Sequence, residues 1–306
     1  MFMEKTIVVG GSGFIGKAVQ KEVIAQDAQN AFVFSYSEHP QEIGANLEKI
    51  QVNLLERQNL EKIGKHSSAI YVAGSAEHGL ARTSPSLDLD LNVKAFLSFM
   101  KVFRGSLVLL SSQAVYYDLE GEIKEKVEHV PTMPYGLSKL MTEAYAKYFQ
   151  ETTALSNLWI FRLMYAFGGG EKARRLIPRC ANAVINRGEV NINGEGKSFL
   201  NPLPSWFVGK ILVKGMQSLL CRNGASLEVT NLNHSERFTV RDVVEFLASV
   251  RNFKYSINPG GEEWPVRFWG NTGSLLTYME EWKIDFPNVR SSLQQYFIEL
   301  VEGQHK

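Results

Sequence analysis

Thr6-Ile7-Val8-Val9-Gly10-Gly11-Ser12-Gly13-Phe14-Ile15-Gly16 places four β-branched residues before a turn with glycines at 10, 13 and 16, and an amphipathic stretch follows. A strand-to-helix turn this tight needs residues without Cβ so that the backbone can approach a pyrophosphate. The N–H groups at the start of the next helix then face the negative charge. Read alone, clustered glycines are only a turn. After the first strand of a β-α-β pattern they read as a dinucleotide site, with Gly10, Gly13, Phe14, Ile15 and Gly16 against the cofactor.

The pattern around this stretch supports that placement. Ile7-Val8-Val9, Phe32-Val33-Phe34, Ile50-Gln51-Val52, Ile70-Tyr71-Val72, Leu107-Val108-Leu109-Leu110 and Trp159-Ile160-Phe161 read as short strands, mostly without polar alternation. Strands apolar on both faces belong in a parallel sheet covered by helices, and the intervening segments are long enough for crossover helices. The expected fold is an α/β doubly wound parallel sheet. Residues 1–168 form its dinucleotide-binding domain, and 169–306 a smaller α/β substrate-binding part, interleaved with the first and packed directly on it. In that second part, Lys172 to Arg187, Trp206 to Leu220 and the segment after Thr239 read as helices. Val190 to Ile192 and Leu227 to Asn231 read as strands, and Asn201-Pro202-Leu203-Pro204 as irregular because two prolines flank one residue.

Composition sets outer limits. The 306 residues carry 33 Lys plus Arg against 32 Asp plus Glu, a formal net charge of +1, which excludes an extensive basic surface and any strong default case for nucleic acid or anionic membrane. The first apolar run stops after four residues, far short of an export signal or a membrane span. Two cysteines, Cys180 and Cys221, make neither a disulfide framework nor a cysteine zinc site, which fits a reducing cytoplasm. The histidines at 39, 66, 78, 129, 234 and 305 show no metal-ligand spacing, so no metal is expected.

The second strand runs into Phe34-Ser35-Tyr36-Ser37-Glu38, with Ser35 where an acidic residue would bind a free ribose 2′-hydroxyl. A missing carboxylate removes the repulsion against a 2′-phosphate, although no Arg or Lys follows to bind one. The cofactor expected is NAD(P), with NADP slightly favoured over NAD. Tyr135-Gly136-Leu137-Ser138-Lys139 places a phenol and an ammonium one helical turn apart. Hydride transfer at a carbonyl carbon needs a proton partner at oxygen, and a tyrosine serves when a nearby ammonium lowers its pKa. The spacing alone is weak. It gains weight from Ser112, which ends the strand Leu107–Leu110 at the sheet edge where ligands bind.

Together these residues resemble the extended short-chain dehydrogenase/reductases, the NAD-dependent epimerase/dehydratase family. The resemblance rests on Gly10-x-x-Gly13-x-x-Gly16, Val72-Ala73-Gly74, Asn92, Ser111-Ser112-Gln113-Ala114-Val115-Tyr116, Pro134-Tyr135-Gly136-Leu137-Ser138-Lys139 with Glu143, and Arg162-Leu163 before Gly168. It implies a Rossmann domain, a catalytic triad of Ser112, Tyr135 and Lys139, and a cofactor held by the glycines, Ala73, Gly74 and Lys139. It also implies a nucleotide-sugar substrate. Asn53-Leu54 stand where the family usually carries Asp-Leu against the adenine. Tyr165 replaces a common substrate-contacting asparagine, and Phe199-Leu200-Asn201-Pro202 replaces an Arg-Asp-Phe segment that contacts nucleotide phosphates. Gln113-Ala114 is not the Asp-Glu pair of sugar dehydratases, which favours epimerisation or ketone reduction over dehydration.

His78, Gln113, Tyr165, Arg174 and Arg175 are candidate substrate contacts, the two arginines for a diphosphate. Trp206, Trp264, Trp269 and Trp282 read as core or interface residues. The stripes Phe96, Phe99, Met100, Phe103 and Met141, Tyr145, Tyr148 exceed what one side of a sheet must cover, and in the family these helices form a dimer's four-helix bundle. The expected protein is a homodimeric NAD(P)-dependent epimerase or reductase acting on a sugar carbon. The alternatives are an oxidoreductase of a non-nucleotide alcohol or ketone, or a non-catalytic dinucleotide-binding protein.

Overall fold

The computed structural model describes residues 5–152, 154–261 and 265–303, so Trp264 and His305 lie outside the described residues. The strands are β1 Thr6–Val9, β2 Phe32–Tyr36, β3 Glu48–Gln51, β4 Ser68–Tyr71, β5 Gly105–Ser112, β6 Glu120–Ile123, β7 Leu155–Leu163, β8 Tyr165–Phe167, β9 Glu189–Asn193, β10 Pro202–Pro204, β11 Ser226–Leu232, β12 Lys254–Asn258 and β13 Arg267–Gly270. The α-helices are α1 Phe14–Ala25, α2 His78–Thr83, α3 Pro85–Leu89, α4 Ala95–Met100, α5 Pro134–Glu151, α6 Leu176–Ile185, α7 Ser205–Leu220, α8 Val240–Val250, α9 Gly273–Trp282 and α10 Val289–Gly303.

The chain divides into two compact units. The first comprises Met1–Tyr117, Lys126–Leu163 and Trp206–Asn231; the second comprises Asp118–Glu125, Met164–Ser205 and Leu232–Lys306. The first unit holds a seven-stranded sheet in the order β11-β7-β5-β4-β1-β2-β3. The pairs β1–β2, β1–β4, β2–β3, β4–β5 and β5–β7 are all parallel. This is the expected doubly wound α/β fold. β1, β2 and β4 are buried almost throughout, as strands covered on both faces must be. β3 departs from that rule: three of its four residues are exposed, and it forms the sheet edge two residues earlier than the Ile50–Val52 expected.

Phe96, Phe99, Met100 and Phe103, expected at a dimer surface, are instead buried in the core beneath β4, with Tyr71 against the Phe96 and Phe99 rings. The wide aromatic stripe fills volume under the sheet and leaves no surplus to expose.

The second unit is built from paired strands, β8 with β10, β9 with β12 and β6 with β13, all parallel. Its core gathers α6, α8 and α10 around Phe167, Ile177, Val244 and Phe297. α8 starts as the sequence indicates, with Thr239 and Asp242 forming a capping box. Two expectations change. Pro202-Leu203-Pro204 is a strand, paired with Tyr165–Phe167. The prolines take alternate positions, so the missing donors fall on one edge and Leu203 serves the other. The helix expected from Lys172 begins only at Leu176, because Arg175 folds back onto Glu171 and the Ala166 carbonyl. Among the described residues no helix is long and apolar enough to cross a membrane.

Candidate functional site

The glycine turn after β1 is shaped by close packing. A Cβ at Gly10 would lie 2.7 Å from the Ala73 nitrogen, and one at Gly16 would lie 2.3 Å from the Gly10 carbonyl oxygen. The Gly11 N–H donates to the Ser35 carbonyl at 2.9 Å, and the Gly10 N–H to Ser35 Oγ at 3.2 Å. Ser35, expected against the cofactor ribose, is buried, and its hydroxyl holds the turn.

Gly13 is different. A Cβ there would meet only the Gly10 carbonyl, at 3.3 Å, and its φ of −75° suits any residue. The fold has no strong need for glycine at this exposed position, whereas a ligand backing onto the turn does. Gly13 is also the N-cap of α1, with no side-chain cap and no acidic residue in the first turn. The helix dipole and its unsatisfied N–H groups are thus open to an anion. Phe14 and Ile15 are half-buried beside it. These features fit a dinucleotide pyrophosphate.

Two further loops complete this rim. Asn53 Oδ1 accepts from the Leu55 and Glu56 N–H groups at 3.1 Å each, closing a turn, while Leu54 packs against the sheet core. After β4, Gly74 takes φ +133° with the space for a Cβ filled by Asn92 Oδ1, 2.5 Å away. Buried Asn92 accepts from the Ser75 N–H at 3.0 Å and donates to Asp88 Oδ1 at 2.9 Å and Ser138 Oγ at 3.4 Å. Asp88, four residues before Asn92, was not singled out from sequence; that i,i+4 spacing on one helix face was its signal.

At the carboxyl end of β5, Ser112 Oγ accepts from the Ala114 N–H at 3.2 Å, capping the 3-10 turn Gln113–Tyr116. A hydroxyl that accepts this bond keeps one proton to donate. Gln113, next in the chain, has a buried Oε1 without a hydrogen-bond partner among the described residues. α5 comes close because Gly136 has no Cβ; one there would sit 2.2 Å from the Ala114 carbonyl oxygen. The helix presents Tyr135 and, one turn on, Lys139, whose Nζ donates to the Leu110 carbonyl at 2.9 Å. Burial pushes the Lys139 ammonium down to about 8, against the opposing pull of Glu143 and Asp88. Tyr135 is buried among Ala81, Ala114, Tyr117 and Met133, and the His78 ring is stacked on it.

A buried ion pair braces this edge. Arg162 grips Glu143 through Nε at 3.0 Å and Nη2 at 2.6 Å, Ser111 Oγ donates to Glu143 Oε1 at 2.5 Å, and Arg162 Nη1 donates to Tyr116 Oη at 2.8 Å. Tyr116 in turn donates to Asn231 Oδ1 at 2.7 Å. Burial opposes the Arg162 charge, yet the Glu143 carboxylate holds its pKa above the ordinary value.

In the second unit, the structure brings together Tyr165 and Arg175 with a residue the sequence reading passed over, Glu171. Tyr165 donates to Glu171 Oε1 at 3.0 Å, Arg175 Nε does so at 2.7 Å, and the Arg175 guanidinium lies 4.4 Å from the Tyr165 ring centroid. Burial raises the pKa of both Glu171 and Tyr165. Arg175 is therefore engaged within the protein, while Arg174 is exposed. Asn201, also missed, is fully buried with neither amide atom hydrogen-bonded among the described residues.

Comparison with known proteins bears on the family and the fold. The Escherichia coli dTDP-4-dehydro-6-deoxyglucose reductase is 21% identical over 281 residues, covering 81% of this chain and 82% of the relative. A UDP-glucose 4-epimerase from Stenotrophomonas maltophila, solved with NAD and formylated UDP-arabinopyranose, superimposes with a TM-score of 0.85 at 16% identity, covering 99% of each chain. MoeE5, solved with UDP-glucuronic acid and NAD, gives 0.81 at 21% identity, covering 98% of this chain and 99% of its own. The family model described as NAD dependent epimerase/dehydratase family matches residues 6–199. With that match over more than half its length, the chain belongs to the NAD-dependent epimerase/dehydratase family of enzymes, the extended short-chain dehydrogenase/reductases.

Proposed function

We propose that the protein is an NAD(P)-dependent epimerase or reductase acting on a sugar carbon of a nucleotide sugar, with Ser112, Tyr135 and Lys139 at the reacting carbon. The observation that carries this is the Lys139 ammonium, buried and tied to the Leu110 carbonyl two residues before Ser112, on the helix turn after Tyr135. A bound nicotinamide supplies or accepts the hydride at carbon. Tyr135 exchanges the matching proton with the substrate oxygen, Ser112 donates a hydrogen bond to that oxygen, and Lys139 stabilises the phenolate and reaches the cofactor ribose. Gln113 offers a neutral amide beside Ser112, which suits holding a hydroxyl and does not suit expelling one. The E. coli relative is named a reductase, and several similar structures hold UDP-sugars with NAD, in keeping with this chemistry.

NADP is placed slightly ahead of NAD because β2 ends in Ser35 and Tyr36 and the first carboxylate after it, Glu38, is exposed beside His39. The same reading makes the protein a homodimer through α5, whose Leu137, Met141, Tyr145 and Tyr148 are exposed at helical spacing. It is placed in the cytoplasm because Cys180 and Cys221 are both unpaired thiols. A second reading, a non-nucleotide alcohol or ketone substrate, is favoured by the missing Arg-Asp-Phe segment, with Phe199-Leu200-Asn201-Pro202 in its region.

One experiment separates them. A thermal-shift panel of UDP, dTDP and GDP should raise the midpoint by about 5 °C at 100 times Kd for the base that is recognised. The matching sugar should then turn over with NAD(P)(H), and Tyr135→Phe should keep dinucleotide affinity while losing at least about a hundredfold in kcat. No shift with any of the three nucleotides favours the second reading. Full activity in Tyr135→Phe removes the phenol from the mechanism.

A further inference from the structure

We propose that His78 is a positioning residue that clamps the phenol of Tyr135: the imidazole lies over the Tyr135 ring with centroids 5.0 Å apart and planes at 30°. This rests on Tyr135 being the proton carrier, as read above. The phenol oxygen lies on the axis of the ring's own rotation, so the Cα–Cβ torsion sets its place. A contact on the ring face resists the swing about that torsion that would carry the oxygen away. Tyr135 is 5% exposed and packs against Ala81, Ala114, Tyr117 and Met133. His78 is exposed and follows a loop, so its ring covers the phenol from the solvent side.

The stack is held from beneath by one buried amide. Asn92 Oδ1 accepts the Ser75 N–H at 3.0 Å, and the Ser75 hydroxyl accepts the Glu77 N–H at 3.3 Å, which fixes the loop leading to His78. Asn92 Nδ2 donates at 3.4 Å to Ser138 Oγ, which donates at 3.0 Å to the Tyr135 carbonyl. The loop that delivers the imidazole and the helix turn that delivers the phenol are therefore fastened to the same side chain. Gly74 makes this possible, since any Cβ there would displace Asn92 Oδ1. A histidine serving only as a substrate contact has no need of a ring laid nearly parallel to the phenol.

The proton carrier must hold its oxygen within hydrogen-bond reach of the substrate oxygen, and small misplacements are costly in rate. His78→Ala should lower kcat about tenfold while KM and dinucleotide affinity stay within about twofold, and His78→Phe should recover most of kcat. These rates are read with a nucleotide sugar of the recognised base that turns over in the test above. A second readout needs no substrate. Tetranitromethane should nitrate Tyr135, followed by peptide mass spectrometry, several-fold faster in His78→Ala than in the wild type, and His78→Phe should keep the protection.

Unchanged nitration in His78→Ala would remove the clamp. Faster nitration with unchanged kcat would overturn the positioning role, and a rise in KM alone would make His78 a substrate contact instead. If Tyr135→Phe keeps full turnover, or no nucleotide sugar turns over, the functional reading has failed, while nitration still decides the stack.

Discussion

Lys139 must stay charged inside a buried site if it is to lower the pKa of a neighbouring phenol, and burial works against that charge. Glu143 and Asp88 restore part of it, leaving the ammonium with a pKa near 8 where an unfolded lysine stands at 10.5. Below about pH 8 folded and unfolded chains both carry the proton. Between about 8 and 10.5 the unfolded chain still holds it and the folded chain has released it. The unfolded state then binds more protons, so raising the pH through this window increases stability. Denaturant unfolding should show the wild type gaining stability relative to Lys139→Met between pH 8 and 10.5, and little relative change between pH 6 and 7.5. Activity should move the other way if Lys139 serves the phenol as proposed, with kcat/KM falling on an alkaline limb near pH 8 as the ammonium charge is lost. A flat stability difference across the window would show that the ammonium is not destabilised in the folded protein. The position of Lys139 was legible from its spacing to Tyr135. Its link to the Leu110 carbonyl was not, because a local pattern does not say which distant backbone group a side chain will meet.

At the scale of elements, the glycine turn joins a packing requirement to a binding requirement, and the two can be separated by substitution. Gly16→Ala would drive a Cβ to 2.3 Å from the Gly10 carbonyl and 2.4 Å from that of Gly11, so α1 must move off the turn. Such overpacking costs about 1–3 kcal/mol, measurable by denaturant unfolding. Gly13→Ala meets a single 3.3 Å contact and replaces glycine by a poorer N-cap residue, so it should cost up to about 1 kcal/mol. It should nevertheless weaken dinucleotide binding at least about tenfold if the pyrophosphate packs on this turn as proposed, because the methyl would stand between them. If Gly13→Ala binds NAD and NADP as tightly as the wild type, the turn does not hold the cofactor. This motif was legible because strand, turn and helix are contiguous in the chain. β13 was not, since its partner β6 lies 147 residues away at the Arg267–Glu120 register position. β10 was missed for another reason: its prolines exclude a central strand, but only pairing shows that one edge stands free.

Over the whole molecule, the remaining question is which apolar surface is left uncovered once the cores are filled. α5 buries Tyr135, Ser138, Lys139, Thr142, Glu143 and Ala146 on one side. Its other side shows Leu137 at 37%, Met141 at 41%, Tyr145 at 38% and Tyr148 at 55% exposure, along a stripe repeating every three to four residues. Leu87 and Leu89 of α3 are exposed as well, at 43% and 39%. A stable interface needs about 800 Å² from each partner, and a helix-length apolar stripe with large side chains is a suitable centre for one. Sedimentation at micromolar concentration should therefore show a species of twice 34.4 kDa. The double variant Met141→Arg/Tyr145→Arg should sediment as the single chain, because it places two charges where apolar side chains must meet. Both positions lie on the side of α5 away from Lys139, so dinucleotide affinity should survive the change. A wild type sedimenting at 34.4 kDa would leave the stripe exposed for some other reason and remove the dimer. A dimer that persists in the double variant would place its interface on another face.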